Sequence, residues 1–237
     1  MKNLFCSIVL TVAVYSAAGQ GTVNFSAGAT AASRVSTNSV IGGGVSGQTG
    51  SASAGYAYFY ALFVADSTIT SAGTPTATGA LDPSLTPGWS QAIWSSGNPA
   101  GVVGAVYATN SFSGRFTGNP TTDDVLIAGR ATGSSASFII VGWSSQVAGM
   151  DWASAKAWID VVIQQGEGPS VGWTGASGVA TSVQLGGGTT PVGGMFGTSP
   201  GQISSAMVLQ LQVPEPGTFT VAALGAVVLV IFRRRRN

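Results

Sequence analysis

The sequence contains no histidine, and its single cysteine, Cys6, lies in an apolar run near the N-terminus. Zinc sites built from His and Cys ligands, and nucleophilic triads that use a histidine base, are therefore excluded by composition. The remainder of the chain has no thiol from which to form a disulfide, so its stability must come from packing. No cofactor and no metal site is predicted.

Charged side chains are also scarce, at 7% of residues, whereas glycine is abundant, with 35 in a chain of 237. Four scattered basic residues cannot displace the counterions of a phosphate backbone, so the composition argues against a nucleic-acid partner. The length and the 45% apolar content suit one ordinary domain with a core. Between residues 20 and 213 the bases are Arg34, Arg115, Arg130 and Lys156, and the acids are Asp66, Asp82, Asp123, Asp124, Asp151, Asp160 and Glu167.

The N-terminus has the three parts of an export signal. Lys2 precedes an apolar stretch from Leu4 to Val14, and small residues follow. Ala17 and Gly19 satisfy the requirement of signal peptidase for small side chains before a cut at Gln20. The alternative is a transmembrane or core helix, but this stretch is too short to cross a bilayer. Residues 1–19 are therefore predicted to be a signal peptide.

The C-terminus also has three parts. Pro214, Glu215 and Pro216 interrupt regular structure, an uncharged run occupies residues 218–232, and Arg233, Arg234, Arg235 and Arg236 follow. As a helix the run would be ~22 Å long against a hydrocarbon core of ~30 Å, which makes it a marginal membrane anchor. Because positive charge stays on the cytoplasmic side, the arginines act as a stop-transfer signal and the preceding domain faces outward.

This tail resembles the PEP-CTERM sorting signal of bacterial surface proteins. The resemblance implies that Pro214, Glu215 and Pro216, at the start of the sorting signal 214–237, are recognised by an exosortase, a membrane-embedded cysteine protease that removes the tail and releases or re-attaches the protein. It further implies transient residence in the inner membrane, then the cell surface or the extracellular space. Carriers of such tails are associated with exopolysaccharide and biofilm. The alternative is a single-pass anchor that is never processed.

Residues 20–213 are predicted to form one mainly β, antiparallel, sandwich-like domain with one short helix. The segment 56–64 is apolar on both faces and so indicates a fully buried strand. Glycine, proline and Asx turns separate the strand candidates, which is typical of a sandwich. These candidates are 21–26, 56–64, 91–94, 102–107, 112–116, 125–128, 138–143, 180–185 and 206–213, the last with Leu209, Leu211 and Val213 facing opposite to Gln210 and Gln212.

The predicted helix begins at Asp151, which can cap it, and extends to about Ile163. Its apolar residues recur at steps of three and four positions: Trp152, Ala155, Ile159 and Val162. We expect it to close one end of the sandwich. The Gly/Ser/Thr/Ala-rich stretch before Gly55 is a candidate loose segment, and residues 186–200 resemble a loop.

Few residues are candidates for chemistry. The adjacent Asp123 and Asp124, with Glu167, are the carboxylates from which a glycosidase pair could be built, but a solvated turn before Val125 is the simpler interpretation. Gly42, Gly44 and Gly47 have a dinucleotide-loop spacing without a following helix pattern, which indicates a loop.

Six tryptophans offer flat rings that can stack on sugars, although most are expected in the core. Trp89 and Trp173, which stand beside glycines, are the best candidates for exposed glycan-stacking residues, although packing in the core is the favoured role for these two as well. Three functions follow: a non-enzymatic surface or matrix protein associated with exopolysaccharide, a carbohydrate-binding module, and a hydrolase that uses Asp and Glu alone. The two termini favour the first.

Overall fold

The computed structural model describes residues 20–27, 33–38, 48–50, 57–77, 79–93, 107–118, 124–165 and 169–212. The helix α1 is Trp152–Gln165. The strands are β1 Gln20–Asn24, β2 Ser26–Ala27, β3 Val35–Thr37, β4 Tyr58–Asp66, β5 Ser90–Gln91, β6 Tyr107–Phe112, β7 Arg115–Thr117, β8 Asp124–Ala131, β9 Ser135–Ser144, β10 Gly172–Ala176, β11 Ala180–Gln184, β12 Gly193–Gly194 and β13 Met207–Gln212.

The strands form two sheets. The large sheet has the order β2-β7-β6-β4-β9-β10-β13-β3, with β11 also paired to β9 and β5 to β4, and the small sheet has the order β12-β1-β8. The prediction of a mainly β, sandwich-like fold is confirmed. Most neighbours are antiparallel, as expected, but β13 with β3 and β1 with β12 are parallel.

β4 and β9 form the centre of the large sheet, paired continuously from Tyr58 with Ser144 to Asp66 with Ala136. Side chains alternate across a strand, and here both faces are buried. One face, with Tyr60, packs in the core between the two sheets, and the other, with Phe63, packs in a second core. The apolar pattern of residues 56–64 therefore predicts this strand correctly.

β1 and β2 connect the two sheets. β1 pairs with β8 in the small sheet, and two residues later β2 pairs with β7 in the large sheet. Phe25 lies between them, fully buried, with its ring 5.3 Å from that of Phe116. This crossing joins the sheets around the first core.

Helix α1 lies on the outer face of the large sheet, so the prediction that it closes one end of the sandwich is wrong. The Trp152 ring is 4.9 Å from that of Phe63 on β4 and 5.7 Å from that of Trp143 on β9. Because β4 and β9 are apolar on this face too, the helix covers surface that water would otherwise contact. The predicted cap is confirmed, since Ser154 N donates to Asp151 Oδ2 at 2.8 Å.

Several local predictions need correction. Residues 112–116 are not one strand, because Gly114 has φ +69° and turns the chain between β6 and β7. β10 was not predicted, and β3 lies inside the stretch expected to be loose. In β13, Leu211 packs against the same core as Leu209, as the predicted alternation requires, but Gln212 on the opposite face is unexpectedly buried. The segment 186–200 is mostly irregular, as expected, but contains β12.

No helix among the residues described is long and apolar enough to cross a membrane. The predicted signal peptide 1–19 and the tail 214–237, with its helix 218–232, lie outside those residues, as do Gly42, Gly44, Gly47 and most of strand candidate 102–107. These predictions, and the domain boundaries drawn from them, stay predictions.

Candidate functional site at the C-terminal strand

β13 is the last strand before the tail, and it lies inside the large sheet. On one side it is antiparallel to β10, with Gln212 opposite Gly172 and Leu211 opposite Trp173. On the other side it is parallel to β3, from Met207 opposite Val35 to Leu209 opposite Thr37. The tail therefore follows a strand that is paired on both sides.

Asn38, the residue after β3, extends the pairing of β13 beyond the end of β3. Its main-chain N–H donates to the Leu209 carbonyl at 3.0 Å, and its side-chain Oδ1 accepts from the Leu211 N–H at 2.9 Å. Its Nδ2 donates to Gln210 Oε1 at 2.9 Å. We call these three hydrogen bonds the Asn38 contacts. They attach residues 209–211 to the sheet beyond Thr37, the last residue of β3.

Gly175 allows β10 to approach β13. A Cβ atom at this position would overlap the Val208 carbonyl oxygen and would lie 3.1 Å from the Leu209 Cα. Both atoms belong to the backbone, so neither can move without shifting the strand. The pairing that holds β13 therefore depends on the absence of a side chain at residue 175.

Gln212 ends β13 in a buried position. Its exposed fraction is 1%, and its Nε2 donates to the Gln210 carbonyl at 3.3 Å. A buried amide needs such a partner, because its transfer out of water is costly. The chain is thus fixed up to the residue that stands two positions before Pro214.

Trp89 and Trp173, the two candidates for glycan stacking, are both buried. The favoured interpretation that they pack in the core is confirmed, and the glycan-stacking alternative is wrong. Trp89 is 6% exposed, packs in the core on the helix side, and donates its Nε1–H to the Ser71 carbonyl at 2.9 Å. Trp173 is 2% exposed and lies in β10, inside the core between the sheets. Neither ring face is available to a sugar. All five described tryptophans are buried, as a core role requires.

Among the residues that the structure describes, Asp82 is the most buried charged group. Its side chain is 0% exposed, and Lys156 Nζ of α1 contacts its Oδ2 at 2.6 Å and Asp160 Oδ2 at 2.7 Å. Ser84 donates to Asp82 Oδ1 through both N and Oγ. Burial acts to lower the pKa of Lys156, but hydrogen bonds to Asp160 and Asp82 outweigh it and raise this pKa above its ordinary value. The group joins the helix to the loop before β5.

The remaining described carboxylates are dispersed. Asp66 forms an ion pair with Arg130, Asp151 caps α1, and Asp124 accepts from Asn24 Nδ2 at 3.3 Å. No group of three or more metal-ligating side chains occurs within the described ranges. Asp123 and Glu167 lie outside those ranges, so the carboxylate pair required by a hydrolase stays untested.

The segment that follows β13 matches a known family. Residues 212–236 fit the PEP-CTERM protein-sorting motif. The chain carries a PEP-CTERM sorting signal. No curated protein and no solved structure matches the chain. The PEP-CTERM match confirms the resemblance inferred from the residues, and it supports a protein that is exported across the membrane towards the cell envelope or surface and processed by an exosortase.

The PEP-CTERM motif and the folded body overlap at one residue. Gln212 is the first residue matched by the motif and the last residue of β13. The sequence could reveal the motif, because its three parts are local. It carries no signal for the Asn38 contacts, since Asn38 and Leu211 are 173 positions apart.

Proposed function

We propose that the protein is a non-enzymatic surface or matrix protein, exported through the inner membrane, cut by signal peptidase and an exosortase, and associated with exopolysaccharide outside the cell. The observation that carries this proposal is the sorting motif at residues 212–236. Tails of this kind are associated with bacteria that make exopolysaccharide, and this association is the reason for proposing exopolysaccharide as the partner. The low content of charged residues, 7%, suits a neutral glycan matrix.

A non-enzymatic role is supported by the contacts of the described carboxylates. Asp66, Asp82, Asp124, Asp151 and Asp160 each contact a nearby basic, amide, hydroxyl or main-chain group. General acid–base catalysis of glycosyl transfer to water needs two carboxylates at a set separation on either side of a substrate. The described carboxylates instead form ion pairs and hydrogen bonds within the fold. Loss of polysaccharide turnover in Asp123→Asn or Glu167→Gln would favour the hydrolase over our proposal.

A carbohydrate-binding module is a weaker candidate, because its proposed stacking residues are buried. Exchange of Trp89 or Trp173 for alanine should damage the core rather than remove a binding surface. If either alanine variant stayed folded but no longer bound glycan, the carbohydrate-binding module would be favoured instead.

The experiment follows the chain in its native host. We expect intact mass to show a protein that begins at Gln20 and lacks the tail, recovered outside the cell and released when exopolysaccharide is digested. Replacement of Pro214, Glu215 and Pro216 by alanine should leave the uncut chain in the membrane. A matched control replaces the exposed Ser204 and Ser205 by alanine and should be processed normally. Uncut, full-length protein soluble in the cytosol would contradict the proposal.

A further inference from the structure

We infer that the Asn38 contacts set the rate at which an exosortase removes the tail. The inference rests on the processing proposed above and concerns a step before cleavage. The end of β13 must leave the sheet before the enzyme can hold the residues that precede the Pro-Glu-Pro motif. Asn38 is thus a positioning residue, which acts through β13 rather than on the reacting atoms.

The requirement follows from the hydrogen bonds of β13. An enzyme that binds a peptide as an extended segment uses the main-chain N–H and C=O groups of that segment. The Leu211 N–H is already bonded to Asn38 Oδ1, and Gln212 is paired with Gly172. Only Val213 separates Gln212 from Pro214. Enzyme contacts more than one residue before the motif therefore compete with the sheet.

Local opening resolves this competition. Strand ends separate from a folded protein without global unfolding, at a free-energy cost set by their own contacts. When opening and closing are fast compared with cleavage, the rate of proteolysis follows the population of the open form. Asn38 is itself exposed, and its side chain bonds Gln210 and Leu211 near the end of β13. Its loss should therefore raise that population with little effect on the rest of the fold.

The cleavage that follows is ordinary acyl transfer. The peptide C–N bond at the tail breaks, the nitrogen of the tail leaves with a proton, and the carbonyl carbon passes by way of the enzyme to water or to an amine acceptor. Asn38 takes no part in these bond changes. Its effect is on access alone.

The test measures conversion of the full chain to the tail-free form by pulse–chase in the native host. Asn38→Ala removes both side-chain hydrogen bonds and should speed conversion by about threefold to tenfold, because each exposed hydrogen bond contributes a modest net free energy. Asn38→Asp keeps an acceptor for the Leu211 N–H and should restore a rate close to that of the original chain. Amide exchange at Leu211 should accelerate only in Asn38→Ala.

Two further variants separate a local effect from a general loss of stability. Asn24→Ala makes the same chemical change in the small sheet, where Asn24 Nδ2 donates to Asp124 Oδ1 at 3.3 Å and Asn24 Oδ1 accepts from Ser26 Oγ at 2.8 Å. It should not change the conversion rate. A flexible Gly/Ser insertion between Gln212 and Val213 should speed conversion. In chains that carry this insertion, Asn38→Ala should no longer differ in rate from the chain that keeps Asn38.

Equal rates for the original chain, Asn38→Ala and the insertion would overturn the inference while leaving the proposed function intact, since the tail would then be cut before β13 folds. Acceleration by Asn24→Ala as large as that by Asn38→Ala would also overturn it. Absence of conversion in every variant would remove the proposed function itself, and the inference with it.

Discussion

Replacement of Lys156 by methionine should destabilise the fold more than any other single change of a described charged residue. Lys156 Nζ bridges the fully buried carboxylate of Asp82 and the partly exposed carboxylate of Asp160, at 2.6 and 2.7 Å. Methionine keeps the apolar stem of the side chain and removes the ammonium group. Asp82 Oδ2 then loses its cationic partner without regaining contact with water.

The magnitude follows from burial and from the contacts that remain. Removal of one partner of a buried ion pair costs about 3–5 kcal/mol. Here the Lys156 side chain is 32% exposed, and Asp82 Oδ1 keeps its bonds from Ser84, so we expect about 2–3 kcal/mol. In a domain of this size that corresponds to a fall in Tm of about 4–12 °C.

The pH dependence has a definite sign. Because the pKa of Lys156 is raised in the folded protein, its contribution is complete below the unfolded value of 10.5 and disappears as the pH rises through the folded value. The difference in unfolding free energy between the original chain and Lys156→Met should therefore be constant from neutral to mildly alkaline pH. This difference should shrink once the pH exceeds the pKa of an ordinary lysine.

The assay is urea unfolding of the exported protein, followed by fluorescence of its buried tryptophans. Asp160→Asn is the control, because it removes only an i,i+4 pair in which both side chains are partly exposed, worth about 0.5 kcal/mol. If Lys156→Met were no more destabilising than this control, Asp82 would not depend on the lysine and the assignment of a structural ion pair would be refuted.

Two further predictions concern α1 and β10. Asp151→Ala should destabilise the fold by about 1 kcal/mol through loss of the helix cap. The Ser154 hydrogen bonds lower the pKa of Asp151, so this contribution should be present at neutral pH and vanish as the pH falls through that pKa. Gly175→Ala should weaken the pairing of β10 with β13, because its Cβ would overlap the Val208 oxygen. Thermal unfolding measures the first, and amide exchange along β13 the second.

The sequence predicts elements whose signal is local. β4 is recognisable because both of its faces are apolar, and α1 because Asp151 precedes apolar residues at helical spacing. The sorting motif is equally local, since prolines, an apolar run and arginines follow one another directly.

The errors arise where distant contacts decide. Trp173 follows Gly172 and precedes Gly175 by two positions, which suggests a turn, yet the backbone of β13 lies directly against Gly175. The place of α1 depends on the second apolar face of β4 and β9, which the spacing within the helix cannot reveal. β3 is a strand because β13 is beside it, although its own Ser and Thr content is typical of a loop.

The position of β3 has a consequence for secretion. Residues 35–37 can complete their place in the large sheet only when residues 207–212 are present beside them. If export starts from the N-terminus, almost all of residues 20–212 must therefore cross the membrane before β3 can pair with β13. The export channel then conducts a chain that has not finished folding. The apolar run predicted to anchor the chain begins only six positions after Gln212. If it enters the bilayer as predicted, completion of the sheet and arrival of the anchor fall at nearly the same moment of translocation.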